Sequence, residues 1–194
     1  MEDHVDRVLF DRATIAGRVS ELAAEIGRDF SVPDDPTRKG NVTGLPEHPD
    51  ILLIPILTGS LIFLADLIRQ LPLMTRIRLV SASSYPGKAT SSQGVSMESK
   101  LPDDLAGARV LVVDDILDSG RTLRAICDAL GERGPDMLKT FVLLRKQIPS
   151  AMAFPVDYVG FDIPDEFVVG YGLDYDGFYR NLPDVVTLRP EMYS

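Results

Sequence analysis

The sequence predicts an α/β fold in which an open, mostly parallel, twisted sheet is flanked by helices. Three apolar runs, residues 51–56, 109–113 and 140–144, have the length and composition of strands that are buried on both faces. The first two runs are each followed by a short turn and then by apolar residues at helical spacing. Because strands that alternate with helices form parallel βαβ units, we expect the helices to cover both faces of the sheet.

An amphipathic helix precedes the first strand. Apolar residues recur at helical spacing from Ile15 to Ile26, with Asp11 or Thr14 as the predicted N-cap. Residues 31–50 are rich in Pro, Gly, Asp and Thr without periodicity, which is typical of a surface connection. No chemical role can be assigned to that connection.

The first strand and its turn form the next unit. Pro55 has no N–H to donate to a sheet, so we expect the strand to end close to it. Residues 57–60 then form a turn, and Ser60 is available as the N-cap of a helix that begins at Leu61. This unit reads as strand, tight loop and helix.

A strand over residues 76–81 precedes a long tract, residues 81–99, that is rich in Ser, Gly and Thr. A loop of this length is uncommon inside a compact domain and is often an active-site lid. The tract is therefore either a functional lid or a slack surface loop.

The remaining elements follow the central strand. Residues 122–130 have helical spacing, and Gly131 or Gly134 can end that helix. Short strands are predicted over residues 158–161, 167–169 and 185–188. We expect a single domain over residues 1–194, with a core of residues 51–160 and a cap of residues 161–194 to which the N-terminal segment contributes.

Composition excludes several classes of protein. The chain has 20 Lys and Arg against 29 Asp and Glu, a formal charge of −9, so adhesion to nucleic acid or to an anionic membrane is not expected. One cysteine and two distant histidines cannot form a disulfide or a His/Cys zinc site. The longest apolar stretch is interrupted by Pro, Gly and Asp, which rules out a spanning helix, and we expect a soluble protein of the cytoplasm.

Polar residues follow the central strand where a ligand site is expected. Asp114 and Asp115 come at the carboxyl end of the strand, and residues 118–122 lead into the next helix. In open α/β sheets the ligand crevice lies at these strand ends. Adjacent carboxylates favour Mg²⁺ or a diol, whereas glycine, hydroxyls and free N–H groups at a helix start favour an anion.

The alternative is that Asp118 and Ser119 only cap the helix and that the two preceding aspartates are solvated turn residues. A P-loop is excluded because it would need Gly at position 115 and Lys at position 121, which hold Asp and Arg. A dinucleotide fingerprint is also missing, since Gly170 and Gly172 lack a third glycine.

Residues 110–123, VLVVDDILDSGRTL, resemble the phosphoribosyl-pyrophosphate (PRPP) signature of the type I phosphoribosyltransferases. Residues 56–60, 143–149 and 158–183 are similar to the corresponding parts of hypoxanthine-guanine phosphoribosyltransferases. The resemblance implies the type I phosphoribosyltransferase fold. It also implies that PRPP and a 6-oxopurine base are converted, with Mg²⁺, to a nucleoside 5′-monophosphate and pyrophosphate.

The resemblance assigns the sugar-phosphate end of PRPP to the central motif. Asp114 and Asp115 are implied to accept the ribose hydroxyls and to contact Mg²⁺. Asp118 is implied to be the general acid/base near purine N7, a role that supplies about 10²–10⁴-fold in rate. The residues implied to bind the 5′-phosphate are Ser119, Gly120, Arg121 and Thr122.

Other implied contacts come from distant parts of the chain. The turn after the first strand, which commonly contains a non-proline cis peptide in the family, and one arginine are implied to bind pyrophosphate: Thr58, Gly59 and Arg180. Four residues are implied to bind the purine, the last of them also Mg²⁺: Lys146, Phe167, Val168 and Asp174. Ser84 and Tyr85 are implied to belong to the lid.

Some positions depart from the family pattern, and some alternatives stay open. Thr58 stands where some relatives have Lys, Arg121 where many have Lys or an apolar residue, and Asp114 where many have Glu. A nucleotide-sensing regulator that binds RNA is one alternative, which the charge of −9 disfavours. Another is the same fold acting on adenine, orotate, uracil or xanthine. The resemblance implies a homodimer or homotetramer.

Overall fold

A computed structural model of the chain describes residues 2–31, 50–83, 96–97, 101–102 and 105–192. Two 3₁₀ turns lie near the chain ends, at Glu2–His4 and Pro190–Met192. The helices are α1 (Arg12–Asp29), α2 (Leu61–Ile68), α3 (Arg121–Gly131) and α4 (Pro149–Met152). The strands are β1 (Val5–Phe10), β2 (Ile51–Leu57), β3 (Thr75–Ile77), β4 (Val80–Ser83), β5 (Ser96–Met97), β6 (Arg109–Leu117), β7 (Met137–Lys146), β8 (Tyr158–Ile163), β9 (Val168–Val169) and β10 (Val185–Leu188).

The main sheet has the strand order β5-β4-β2-β6-β7-β8, with β3 also paired to β2. All its pairs are parallel except β4 with β5. Alternate residues of the central strands face opposite layers: Leu53 and Leu111 pack with α1 and α2, whereas Ile54 and Val112 pack with α3. The predicted α/β fold with helices on both faces is confirmed.

A second, antiparallel sheet with the order β1-β10-β9 forms the cap, and we call it the cap sheet. Val5 and Val8 of β1 pair with Leu188 and Val186 of β10. Arg7 of β1 also forms a bidentate salt bridge with Glu166, just before β9. The predicted cap with an N-terminal contribution is therefore confirmed, although the sequence did not reveal β1 as a strand.

Several boundaries differ from the sequence-based expectations. The single strand expected over residues 76–81 is divided into β3 and β4, each of which pairs with a different part of β2. β2 ends at Leu57, two residues after Pro55, which agrees with the expected end close to that proline; Pro55 itself lies opposite the break between β3 and β4 and pairs with Val113 of β6. Asp11 caps α1 by accepting a hydrogen bond from Thr14 N, as predicted.

Ser60 is the N-cap residue of α2, but its side chain does not cap the helix. Its hydroxyl instead donates to the carbonyl oxygen of Ile56, which fixes the turn after β2. The predicted N-cap position of Ser60 is therefore confirmed, but its buried hydroxyl is used within the turn and not to cap the helix. Among the described residues, no helix has both the length and the apolar character that a membrane span requires.

Candidate active site

The two adjacent aspartates are the sixth and seventh of the nine residues of β6. The sequence predicted that this strand ends at Val113, but its pairing with β7 continues to Leu117, opposite Arg145. Asp114 and Asp115 are therefore held by the sheet itself rather than by a flexible turn. Their backbone positions are fixed at the carboxyl end of the central strand, where parallel sheets bind ligands.

Burial makes this carboxylate pair electrostatically unusual. The side chain of Asp114 is only 7% exposed, and Asp115 is half-buried. Burial, reinforced by the charge of Asp115, raises the pKa of Asp114 well above its ordinary value. Burial also raises the pKa of Asp115, although hydrogen bonds and the charge of Arg180 oppose this shift. Such a pair favours a bound diol or cation, which would stabilise both charges.

The turn after β2 lies directly against Asp115. A Cβ on Gly59 would lie 1.6 Å from Oδ2 of Asp115, and a Cβ on Gly172 would lie 2.2 Å from the carbonyl oxygen of Gly59. Both distances are far inside van der Waals contact. Three chain segments thus meet at this point, and glycine is needed in two of them. The peptide bond between Leu57 and Thr58 is cis, which agrees with the resemblance.

The loop from β6 to α3 exposes backbone groups at the start of a helix. Gly120 is the N-cap residue of α3 and has a φ of +75°, a left-handed conformation that favours glycine. It offers no side-chain acceptor to the first turn, and the nearby Ser119 hydroxyl lies 3.5 Å from the N–H of Arg121. A helix N-terminus of this kind suits an anion. Asp118 and Ser119 are therefore not the N-cap residues that the alternative reading assumed.

Lys146, at the end of β7, brings two parts of the site together. Its side chain is only 14% exposed, and Nζ lies 3.6 Å from Oδ2 of Asp118. The same ammonium donates to Oδ1 of Asp165 at 2.9 Å. Asp118 itself is 57% exposed, so a ligand can reach it. The ammonium of Lys146 is thus held between two carboxylates rather than extended into solvent.

Asp165 is a site residue that the sequence analysis missed. It follows β8, whose Ile163 pairs directly with Lys146. An acidic residue just after a strand can reach a lysine at the end of β7 if that strand pairs with β7. The sequence shows the acidic residue after β8, but the pairing of β7 with β8 was not predicted, so the contact was missed.

The predicted purine-binding residues of the cap lie just beyond Asp165. Phe167 is partly exposed and forms an edge-to-face contact with Tyr175, with ring centroids 5.4 Å apart. Val168 begins β9 and is buried, with its backbone paired to Thr187. The partial exposure of the Phe167 ring leaves it accessible to a flat ligand.

Arg180 and Asp174 form a salt bridge of 2.7 Å. Arg180 Nη1 also donates to the carbonyl oxygen of Gly172 at 2.7 Å, and Asp174 Oδ2 accepts from the N–H of Gly177 at 2.8 Å. The charge of Arg180 also opposes the rise that burial causes in the pKa of Asp115. Two of the residues predicted to bind different substrate groups are therefore joined to one another here.

The structure brings most of the predicted residues to one end of the main sheet, but not all of them can be placed. Ser84 and Tyr85, the predicted lid residues, lie outside the described residues. Within the part of the chain that is described, no group of three or more His, Cys, Asp or Glu side chains is arranged to hold a metal ion. Any metal there would need ligands from water or substrate in addition to the carboxylates.

A parallel sheet with an acidic strand end, a glycine at the following helix start and a small cap define a class of enzymes. Residues 16–176 match the phosphoribosyl transferase domain family. The chain is 43% identical to the hypoxanthine-guanine phosphoribosyltransferase of Mycobacterium avium, over 98% of this chain and 89% of the relative. It is 37% identical to the hypoxanthine phosphoribosyltransferase of Salmonella typhimurium, over 94% of each chain. The chain belongs to the phosphoribosyl transferase family, in its hypoxanthine-guanine branch.

Solved structures agree with the sequence relatives. A hypoxanthine phosphoribosyltransferase from Staphylococcus aureus matches with a TM-score of 0.84 and 34% identity, over 100% of this chain and 97% of that one. The Trypanosoma cruzi hypoxanthine phosphoribosyltransferase in complex with the product IMP matches with a TM-score of 0.81 and 37% identity, over 98% of both chains. The expected family and fold are thereby confirmed.

Proposed function

We propose that the protein transfers the phosphoribosyl group of PRPP to hypoxanthine or guanine, forming IMP or GMP and releasing pyrophosphate. The observation that supports this most directly is the 3.6 Å approach of Lys146 to Asp118, beside the buried aspartates of β6. A purine recognition group, a proton-transfer group and a diol-binding group then lie at one end of the sheet. Relatives at 36–43% identity carry the names of these activities.

Asp114 and Asp115 would accept the two ribose hydroxyls of PRPP. Their burial raises both pKa values, so a donor that satisfies the carboxylate oxygens stabilises the charged pair. Hard oxygen donors of this kind also fit Mg²⁺, which Asp114, Asp115 and Asp174 would hold together with water. When bound, the ion would neutralise charge on the pyrophosphate leaving group.

The start of α3 would bind the 5′-phosphate. Gly120 in its left-handed conformation lets the backbone approach the phosphate, and the hydroxyls of Ser119 and Thr122 lie on either side of it in sequence. Arg121 adds a positive charge at the first helical position. Binding of the phosphate at a helix N-terminus fixes one end of the sugar.

The base would bind between Lys146 and the cap. The ammonium of Lys146 would donate to O6 of the purine, Phe167 would stack on its face, and the backbone of Val168 would contact its edge. Asp118 would exchange a proton with N7 as the glycosidic bond forms or breaks. An ammonium that donates but cannot accept favours an oxo substituent over an amino group.

The pyrophosphate group would bind at the turn after β2, through Thr58 and Gly59, and at Arg180. The lid containing Ser84 and Tyr85 would exclude water from the reacting ribose. We also propose that the chain forms one domain, that it assembles as a homodimer or homotetramer, and that it acts in the cytoplasm.

An assay with separate bases tests this proposal. The protein is incubated with PRPP, Mg²⁺ and hypoxanthine, guanine, xanthine or adenine, and nucleotide formation is followed by chromatography. Product is expected with hypoxanthine or guanine, none is expected with adenine, and removal of Mg²⁺ should abolish the reaction. Absence of nucleotide with every 6-oxopurine, in the presence of Mg²⁺, would refute the proposed function.

A further inference from the structure

A tyrosine occupies an unfavourable backbone conformation next to the proposed pyrophosphate turn. Three consecutive residues have positive φ: Gly170 at +93°, Tyr171 at +50° and Gly172 at +104°. Glycine tolerates such angles, but a residue with a side chain is disfavoured there and persists only when its surroundings hold it. What holds Tyr171 in place is therefore informative.

The side chain of Tyr171 is fixed between the cap and α2. It is only 5% exposed, and its hydroxyl donates to Oδ2 of Asp66 at 2.6 Å. Asp66 also pairs with Arg69, the C-cap residue of α2. Burial and the hydrogen bond to Asp66 raise the pKa of Tyr171, so the hydroxyl remains a donor at any ordinary pH.

The segment held by Tyr171 contacts the site directly. The next residue, Gly172, leaves no space for a Cβ against the carbonyl oxygen of Gly59, and Gly59 leaves none against Asp115. Gly172 also receives a hydrogen bond at its carbonyl oxygen from Arg180. Displacement of Gly172 would therefore release both the turn after β2 and the arginine.

We propose that Tyr171 is a positioning residue, whose hydrogen bond to Asp66 holds Gly172 against Gly59 and so sets the pyrophosphate turn against Asp115. The inference rests on the proposed function and assigns a role to two residues that do not themselves touch substrate. Asp66 lies on the helix that begins directly after this turn, so the bond joins the two segments that flank the proposed pyrophosphate site.

The test compares two variants that each lose a buried tyrosine hydroxyl. Tyr171→Phe removes the bond to Asp66. Tyr158, the first residue of β8, lies at the opposite end of the strands from the site, and Tyr158→Phe removes the 2.6 Å bond that it donates to Asp29 at the end of α1 and the 3.1 Å bond that it accepts from Lys139. For Tyr171→Phe we expect KM for PRPP and the Kd for magnesium pyrophosphate to rise about tenfold, because one hydrogen bond to a charged group is lost. KM for hypoxanthine should change by less than about twofold, since the contacts of Lys146 are intact.

The control separates positioning from general stability. Tyr158→Phe should lower the melting temperature in the same way but change KM for PRPP by less than about twofold. Asp66→Asn keeps an acceptor for the Tyr171 hydroxyl and should retain near-normal pyrophosphate binding, whereas Asp66→Ala should behave like Tyr171→Phe. An unchanged pyrophosphate Kd in Tyr171→Phe, or an equal rise in Tyr158→Phe, would overturn the inference.

The two proposals fail in different ways. An unmodified protein that binds magnesium pyrophosphate but forms no nucleotide would refute the proposed function, and the pyrophosphate Kd values of the variants would still decide the role of Tyr171. An active protein whose Tyr171→Phe variant binds pyrophosphate normally would refute only the inference about Tyr171.

Discussion

Replacement of Gly59 by alanine tests the packing of the proposed site most directly. The added Cβ would lie 1.6 Å from Oδ2 and 2.5 Å from Cγ of Asp115. Carbon and oxygen atoms need about 3.5 Å, so the turn and the carboxylate must separate by more than about 1.5 Å. Asp115 cannot rotate freely, because its Oδ1 accepts a hydrogen bond from the N–H of Ile116.

A displacement of this size should be costly for catalysis. A misplacement of about 1 Å can lower the rate about 10²-fold, so we expect kcat/KM for PRPP in Gly59→Ala to fall by at least that factor. Steady-state kinetics with hypoxanthine at saturation gives this value, and calorimetry with magnesium pyrophosphate shows whether the loss occurs in binding.

Gly17→Ala is a matched control for the same chemical change. Gly17 lies in α1 with no atom within 4 Å of the position of its Cβ. The alanine should leave kcat/KM unchanged and increase the free energy of unfolding by about 0.5–1 kcal/mol, because glycine is a poor helix residue. If Gly59→Ala kept more than about a tenth of the normal kcat/KM, the close contact of Gly59 with Asp115 would not be needed for catalysis.

Four further outcomes are expected. Asp118→Asn should lower kcat about 10²–10⁴-fold while PRPP binding measured by calorimetry stays unchanged, and an undiminished rate would remove Asp118 from the mechanism. Lys146→Gln should raise KM for hypoxanthine about tenfold and reduce the preference for hypoxanthine over adenine in competition assays. The same KM for hypoxanthine in the variant and in the unmodified protein would contradict recognition of O6 by Lys146. Burial raises the pKa of the Cys127 thiol to about 12. Alkylation of Cys127 by iodoacetamide at pH 8 should therefore be about 10³-fold slower in the folded protein than in the protein unfolded in urea. Comparable rates in the two states would contradict this pKa shift. The hydrogen bond from Lys139 lowers the pKa of Asp29, so this stabilisation is present above the unfolded pKa of about 3.9 and is lost as pH falls through the folded value. In Asp29→Asn, the free energy of unfolding measured with urea should therefore fall less steeply as the pH is lowered into the acid range. An unchanged acid dependence would contradict this.

The sequence was sufficient for the main sheet because its strands are short, apolar and separated by helices. Residues 110–113 are fully buried, because a central strand that is covered on both faces has no exposed side. Such a strand is a continuous apolar run, which is visible in the sequence. β1 was missed for the opposite reason. Most of its residues are exposed or half-buried, and its pairing partner β10 lies near the other end of the chain, so no local pattern marks it.

Contacts between distant segments limited the prediction of the site. Asp114, Asp115 and Gly120 follow one another closely, so their common location could be inferred from one strand and one helix start. The contact of Lys146 with Asp165 depends on the pairing of β7 with β8, and that of Tyr171 with Asp66 joins residues 105 positions apart. None of these four residues is unusual at its position in the sequence, so only the fold reveals these two contacts.

The strand order of the cap sheet has a consequence for synthesis on the ribosome. β10 is the middle strand of that sheet, yet it is made after β1, after β9 and after every strand of the main sheet. The edge strands β1 and β9 cannot be joined until β10 has left the exit tunnel, so a product that stalls before β10 lacks its cap even when the main sheet is complete.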